Sequence, residues 1–310
     1  MCTAIAWMGE SFYFGRTLDL ETSFGERAVI TPRRFWFDFR CVTSIKAHYA
    51  MLGMAAVANG FPLYAECMNE KGLCMAALRF TGKTVYAEKA TVGEVGITSF
   101  ELIPWVLGQC ASIDEADALL RKTRIVGIPF SDEIPLTSLH WMVADGTGAL
   151  TVECTEAGQT VHRNTVGVLT NAPAFPAQLA HWERYRRLHE KPTESQGVSE
   201  GGRLGMGAYG LPGDYSSPSR FVRAAWLREH THVGEGERGD VAMLAMLGAV
   251  SVPRGCVETE NGHWHVTRYA VCADAKHGRM LVRTPRDVNP TTLAFSEAAL
   301  DGERLYERSL

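Results

Sequence analysis

Most of the marks that usually reveal a function are missing from this chain. No CxxC pair occurs, and none of the eight cysteines (2, 41, 67, 74, 110, 154, 256 and 272) stands at ligand spacing from histidines. Neither a dithiol redox centre nor a structural zinc site is therefore expected. There is no GxSxG, so a serine elbow of the α/β-hydrolase kind is not supported, and there is no HExxH. A phosphate-binding glycine loop is not expected, and neither is any cofactor. No apolar run is long enough to span a membrane, and the N-terminus lacks the basic segment and apolar run of a secretory leader. Net charge is −4 over 310 residues. Neither nucleic acid nor a membrane surface is thus an expected partner. No repeat or low-complexity segment is found. The cysteines sit mostly in apolar runs such as GLCMAAL and YAVCAD, as buried free thiols do in a reducing cytoplasm.

What is present is a strand-rich pattern interrupted by helices. The length suits one large domain over residues 1–310 or two small ones. CTAIAW and FYFGRTLD read as strands around the turn MGES, and ERAVITPRRFWFDF as a strand pair or a strand and loop. Three short strands follow up to LCMAALRF. Thr98 to Glu101 and Ser112 to Glu115 are capping-box spacings and predict two helices. Strands return from SLHWMVAD to GVLTN. FPAQLAHWERYRRLHE reads as an amphipathic helix, and the Gly-, Ser- and Pro-rich stretch after it as an ordered surface loop. Ser217-Pro218 predicts an N-cap with proline in the first helical position. DVAMLAMLGAV is a further helix, and a hairpin turning at ADAKHGR ends the chain. Helices grouped between blocks of strands predict α+β architecture with antiparallel sheets.

Cys2 is the residue of chemical interest. Removal of Met1 would leave a thiol and a free α-amine on one residue, a nucleophile with its base built in. A thiol titrates near ~8.5 and an α-amine near ~8, so proton transfer between them is feasible near neutral pH. The predicted hairpin lays residues 16 to 19 beside residue 2. Arg16 could hold the sulfur as thiolate and Asp19 could orient the ammonium. The same residues also fit a buried cysteine beside an Arg16–Asp19 ion pair.

Asn171 ends an apolar strand in GVLTNAP, where it is either a turn former or an amide donor for an oxyanion. Arg220 lies in the first turn of a predicted helix, where a cation opposes the helix dipole. A partner carboxylate would account for it, with Asp19 or Asp214 as candidates. His263 and His265 alternate on a predicted strand but have no ligand-spaced neighbours, so no metal site is expected. Phe12, Tyr13 and Phe14 read as core.

Taken together, MCTAIAW, FGRTLDLETSFGERAVITPR, NEKGLCMAALRFTG, LHWMVAD, GVLTNAP and GLPGDYSSPSRFVRAAWL resemble the choloylglycine hydrolase family. This family of bile salt hydrolases and penicillin V acylases belongs to the N-terminal-nucleophile hydrolases. The resemblance runs nearly the whole chain. It implies a four-layer αββα sandwich, removal of Met1, and usually a homotetramer. It implies Cys2 as nucleophile, Arg16 and Asp19 as supports of thiolate and α-amine, Asn171 in the oxyanion hole, and Arg220 as an active-site arginine. The implied activity is amide hydrolysis of a small molecule. A glycine- or taurine-conjugated bile salt is the first candidate, and penicillin V or another N-acyl amide the second. A pocket from Leu20, Phe24, Phe61, Phe130 and Ile134 would take the apolar acyl part. One position departs from the family: ALRFTG stands where bile salt hydrolases commonly read GLNFPG, so Arg79 replaces an asparagine. A non-catalytic binding protein, retaining Met1, is the alternative of another class.

Overall fold

The computed structural model describes residues 1–45, 47–188, 205–287 and 289–310. Its first element is the hairpin of β1 (Cys2–Met8) and β2 (Phe12–Leu20), which sets Cys2 opposite Leu18 and Ala4 opposite Arg16. Along the other side of β2 runs β13 (Val266–Asp274), followed by β14 (Arg279–Arg283) and β15 (Thr291–Ala294). β12 (Val168–Leu169) closes the far edge on β1, completing a six-stranded antiparallel sheet. The second sheet has eight antiparallel strands. In spatial order they are β11 (Gly158–Arg163), β10 (Gly148–Thr155), β9 (Leu139–Asp145), β6 (Cys74–Arg79), β5 (Phe61–Asn69), β4 (Met51–Ala58), β3 (Arg27–Thr31) and β16 (Tyr306–Arg308).

Strands buried on both faces need mostly apolar residues, and β6 from Cys74 to Leu78 and β9 from Trp141 to Ala144 have them. In β6, Cys74, Ala76 and Leu78 face the other sheet, while Met75 and Ala77 face outward beneath α1 (Leu102–Gln109) and α2 (Ile113–Leu120). β9 divides likewise, with Met142 and Ala144 inward and Trp141 and Val143 outward. The outer face of the six-stranded sheet is covered by α4 (Ser217–His230) and α5 (Gly239–Gly248), with α3 (Phe175–Trp182) packed on α4. The layer order is helix, sheet, sheet, helix.

Several details differ from the sequence reading. β7 (Val95–Thr98) and β8 (Thr123–Val126) form a separate parallel pair, because α1 and α2 supply the crossover that parallel strands need. Thr98 ends β7, so α1 starts at Leu102 and the first capping box is only half made: Glu101 takes the Thr98 N–H at 3.1 Å. Ser216, not Ser217, caps α4. α3 ends at Trp182, and the rest of its predicted span is turn up to Arg187. Residues 189–204, which include much of the predicted surface loop, lie outside the described residues. Gly234, Gly236 and Gly239 do read G-x-G-x-x-G, against the expected absence of such a loop. They follow helix α4 and not a strand, so they form no βαβ phosphate site. Among the described residues no helix is long and apolar enough to cross a membrane.

Two register shifts shape the interior. In β5 the pairing passes from Tyr64 to Glu66, leaving Ala65 unpaired, and in β13 it passes from Thr267 to Tyr269, leaving Arg268 unpaired. Such bulges re-aim the neighbouring side chains. Here they turn Glu66 and Tyr269 into the space between the sheets, where the Tyr269 hydroxyl donates to Glu66 Oε2 at 2.9 Å.

Gly53 on β4 faces this bulge. A Cβ there would stand 2.2 Å from the Glu66 carbonyl oxygen and 2.8 Å from Cys67 Cα. Both are backbone atoms that cannot rotate away. Gly53→Ala is expected to lower stability by ~3 kcal/mol, the upper part of the overpacking range. Urea denaturation measures this, and a loss under ~1 kcal/mol would mean that β5 shifts freely.

Candidate active site

The β1–β2 register dictates which hairpin residues meet. Cys2 and Arg16 lie on the same face of neighbouring strands, and Arg16 Nη2 donates to Cys2 Sγ at 2.9 Å. Asp19 is three residues from Arg16, so strand alternation sends it to the opposite face. The Arg16–Asp19 ion pair is therefore not formed. Arg16 instead reaches across to the other sheet, where Nη1 donates to Glu66 Oε2 at 2.8 Å and to the bulged Ala65 carbonyl at 3.1 Å. Arg16 is fully buried. Burial alone would lower its pKa, but the charges of Cys2 and Glu66 reverse this and raise it. Burial also pushes the Glu66 carboxyl up, against the downward pull of Arg16 and Tyr269.

Asp19 is buried as well. It accepts from the hydroxyls of Thr267 at 2.6 Å and Thr17 at 3.3 Å. Met1 extends β1 by one residue: its amine donates to the Asp19 carbonyl at 2.6 Å, and the Asp19 N–H donates to the Met1 carbonyl at 3.0 Å. Burial lowers the pKa of that amine, while the neighbouring charges of Cys2 and Asp19 pull it up.

Asn171 faces the nitrogen of Cys2. Its Oδ1 accepts from Cys2 N at 3.0 Å and from Arg220 Nη2 at 2.7 Å, and its Nδ2 donates to the Arg79 carbonyl at 2.8 Å. Two donors on one side and an acceptor on the other leave the amide a single orientation. One of its two N–H groups is taken by Arg79. Arg220 is fully buried, and burial lowers its pKa. It donates to the carbonyl of Cys2, the Thr3 hydroxyl at 2.7 Å and the Tyr215 carbonyl at 3.0 Å. The expected carboxylate partner is not in contact: Asp214 is occupied by Ser216 and Ser219, and Asp19 acts on Arg220 only through its charge. Carbonyls and a hydroxyl satisfy the guanidinium in its place.

Cys2, Arg16 and Leu18 form part of a cleft of about 380 Å³, whose walls include Leu20, Phe24, Phe130 and Ile134, with Arg79 among the lining residues. That volume suits a small organic ligand. Three larger grooves, of about 550, 600 and 640 Å³, contain none of the candidate residues. Phe61 does not reach the cleft. It packs against Phe37, Phe100 and Phe130, with its ring centroid 5.9 Å from that of Phe100, so it backs the wall without lining it. Arg40 ties this wall down. Its guanidinium donates to the Pro129 and Phe130 carbonyls and lies 5.0 Å from the Phe100 ring and 5.5 Å from the Phe130 ring.

Residues that sequence reasoning passed over complete the site. Glu66 and Tyr269 anchor Arg16. The Ser217 hydroxyl, one residue inside α4, accepts from Asn171 N at 2.9 Å. His140 Nε2 faces the Thr170 carbonyl at 2.9 Å, so that nitrogen carries a proton, and Nδ1 faces Glu153 at 3.1 Å. Glu153 also accepts from Phe175 N at the start of α3. A charged residue inside an otherwise apolar strand, as with Glu66 in PLYAECMN, was the available signal.

Comparison with known proteins gives a consistent result. A sequence model of the choloylglycine hydrolase family, described as linear amide C–N hydrolases, matches residues 2–306. A bile salt hydrolase/transferase from Lactiplantibacillus plantarum is 40% identical, the match covering 100% of this chain and 97% of that protein. The crystal structure of a conjugated bile acid hydrolase mutant from Clostridium perfringens superposes with a TM-score of 0.90 at 30% identity, covering 100% of this chain and 97% of the other. A penicillin V acylase from Agrobacterium tumefaciens shares the fold, with a TM-score of 0.78 at 21% identity over 99% of this chain and 90% of its own.

The role of Asn171 can be separated from that of a turn former. Asn171→Ala removes the acceptor of Cys2 N and Arg220, and the remaining amide N–H. A fall in kcat of about 10²–10³-fold is expected, the scale of one lost oxyanion donor. An unchanged kcat on any hydrolysed amide would reduce Asn171 to a structural residue.

Proposed function

The chain belongs to the choloylglycine hydrolase family of linear amide C–N hydrolases, and from that premise we propose that its nucleophile is the thiol of Cys2 and its preferred substrate a glycine- or taurine-conjugated bile salt. The observation that carries this reading is the contact of Arg16 with the Cys2 sulfur at 2.9 Å inside an apolar cleft, with Asn171 on the Cys2 nitrogen at 3.0 Å. Met1 is removed in the active chain, which is a single catalytic unit over the whole length. The bile salt hydrolase names of its relatives support the acyl class, and the apolar walls suit a steroid.

In this reading the Cys2 α-amine takes the thiol proton and the sulfur attacks the amide carbonyl carbon. The C–S bond forms, and charge develops on the carbonyl oxygen near the free N–H of Asn171. Collapse of this intermediate breaks the C–N bond, and the α-ammonium passes its proton to the leaving amine. Water then cleaves the thioester, which frees the acid and restores the thiol. Asp19 lies buried where its charge acts on the N-terminal amine, which suits it to hold the ammonium form. Arg220 holds the Cys2 carbonyl and Asn171 in register. We read the enzyme as cytoplasmic, and the family resemblance implies a homotetramer. Eight cysteines without a disulfide, two of them exposed, suit a reducing compartment.

A hydrolysis panel of glyco- and tauro-conjugates beside penicillin V tests the substrate. Cys2→Ser should lower turnover strongly with the fold intact, because a hydroxyl is less acidic and less nucleophilic than a thiol, and Cys2→Ala should abolish it. Hydrolysis by Cys2→Ser near the parent rate would remove Cys2 from the mechanism. An active parent whose intact mass retains Met1 would remove the α-amine.

Arg79 should govern the amine side. Arg79 lines the cleft and is exposed, and its guanidinium has no hydrogen-bond partner among the described residues. The carboxylate of glycine or the sulfonate of taurine lies close to the scissile bond, and a charge-assisted hydrogen bond to it contributes about 1.5–3 kcal/mol, or roughly 10- to 150-fold in kcat/KM. Arg79→Asn is expected to shift the ratio of bile-salt to penicillin V hydrolysis at least several-fold. Equal ratios in variant and parent would place Arg79 outside substrate recognition.

A further inference from the structure

Arg16 touches the candidate nucleophile with one end of its guanidinium and Glu66 with the other. Glu66 comes from the opposite sheet, and both of its supports are irregular. The bulge at Ala65 turns it inward, and the bulge at Arg268 turns Tyr269 to meet it. Oε2 accepts from Arg16 at 2.8 Å and from Tyr269 at 2.9 Å, whereas Oε1 is buried with no partner among the described residues. A carboxylate buried this deeply, half-satisfied and raised in pKa by its burial, is a poor choice for stability alone. Its one strong interaction is with the cation that faces Cys2.

We propose that Glu66, seated by Tyr269, is a positioning residue that limits how much of the Arg16 charge acts on the Cys2 sulfur. The proposal rests on Cys2 being the nucleophile. A guanidinium with no counter-charge would hold the thiolate too firmly, and a thiolate held that way attacks carbonyl carbon slowly, since nucleophilicity falls with basicity. With Glu66 ionised, Arg16 keeps its donor geometry toward sulfur while part of its charge is neutralised. The other ionisable groups around the site are the N-terminal amine, Asp19 on β2, Arg220 on α4, Arg79 on β6 and Tyr269 itself, with His265 near the amine and Glu26 near Glu66. Apart from the seat that Tyr269 gives Glu66, the proposed control does not act through any of these. Among the described residues, Glu66 is the only carboxylate in direct contact with Arg16.

The test is the pH profile of alkylation by iodoacetamide in the processed enzyme, with the adduct located by peptide mass spectrometry. If the parent is not labelled at Cys2, or keeps full activity when labelled there, the nucleophile reading itself fails. Given labelling at Cys2, Glu66→Gln should move the half-maximal pH down by about one unit, the scale of one nearby charge. It should also lower the limiting alkylation rate about threefold per unit, as a Brønsted slope near 0.4–0.5 requires. Glu66→Asp keeps the charge but withdraws it, and should fall between parent and Glu66→Gln. If Glu66→Gln does not fold, Glu66→Asp decides alone, and a downward shift supports the proposal. A purely structural Glu66 would lower the melting temperature of the variants and leave the half-maximal pH at the parent value, and that result would overturn the proposal.

Discussion

A guanidinium buried between two β-sheets has to find every partner among protein atoms, and this requirement on Arg16 shapes the site. Its donors go to the Cys2 sulfur, the Glu66 carboxylate and the backbone carbonyls of Ala65 and Thr17. Removing any one of these leaves a buried donor unmet, which costs on the order of 1–3 kcal/mol, and more next to a charge. The two sheets are thus joined by polar contacts of Arg16 and Tyr269 on one with Glu66 on the other. The register of each sheet near those contacts is fixed by them, because slipping a strand by one residue would turn Glu66 or Arg16 outward.

The residues proposed to act in chemistry and those proposed to select substrate are carried by different parts of the fold. Cys2, Arg16, Asp19 and Arg220 sit on paired strands or a packed helix and are buried. Asn171 sits where strand β12 gives way to the turn before α3, and is held there by Ser217, Arg220 and Arg79. Phe24, Phe130 and Ile134 sit on loops. Rigid elements hold angles and distances that a reacting carbonyl needs, while loops tolerate change.

Much of this was legible in the chain, and what was not has identifiable causes. The β1–β2 hairpin could be read because MGES separates two strand-like runs, and once the turn is placed the neighbours of Cys2 follow. The partner of Arg16 could not be read, because Glu66 is fifty positions away and reaches Arg16 only through a bulge that local propensity does not encode. The position of Arg220 points to a carboxylate partner, but its acceptors include the Cys2 and Tyr215 carbonyls, and a backbone carbonyl leaves no trace in the sequence. Phe61 alternates and is apolar, as a cleft residue would be. Only the tertiary packing of Phe37 and Phe100 reveals it as a second layer. The cap of α4 moved by one residue because serines at 216 and 217 are chemically equivalent candidates, and the geometry of Thr170 and Asn171 claims the second.

The hold of Arg40 on the 129–130 segment has a consequence for how this protein can diversify. Arg40 does not line the cleft, yet its hydrogen bonds and ring contacts fix the loop from which Phe130 projects. A change at position 40 would therefore widen or narrow this wall of the cleft while every residue lining it stayed the same. Two homologues with identical cleft linings could then accept acyl groups of different girth, and a classification built on lining residues alone would group them together.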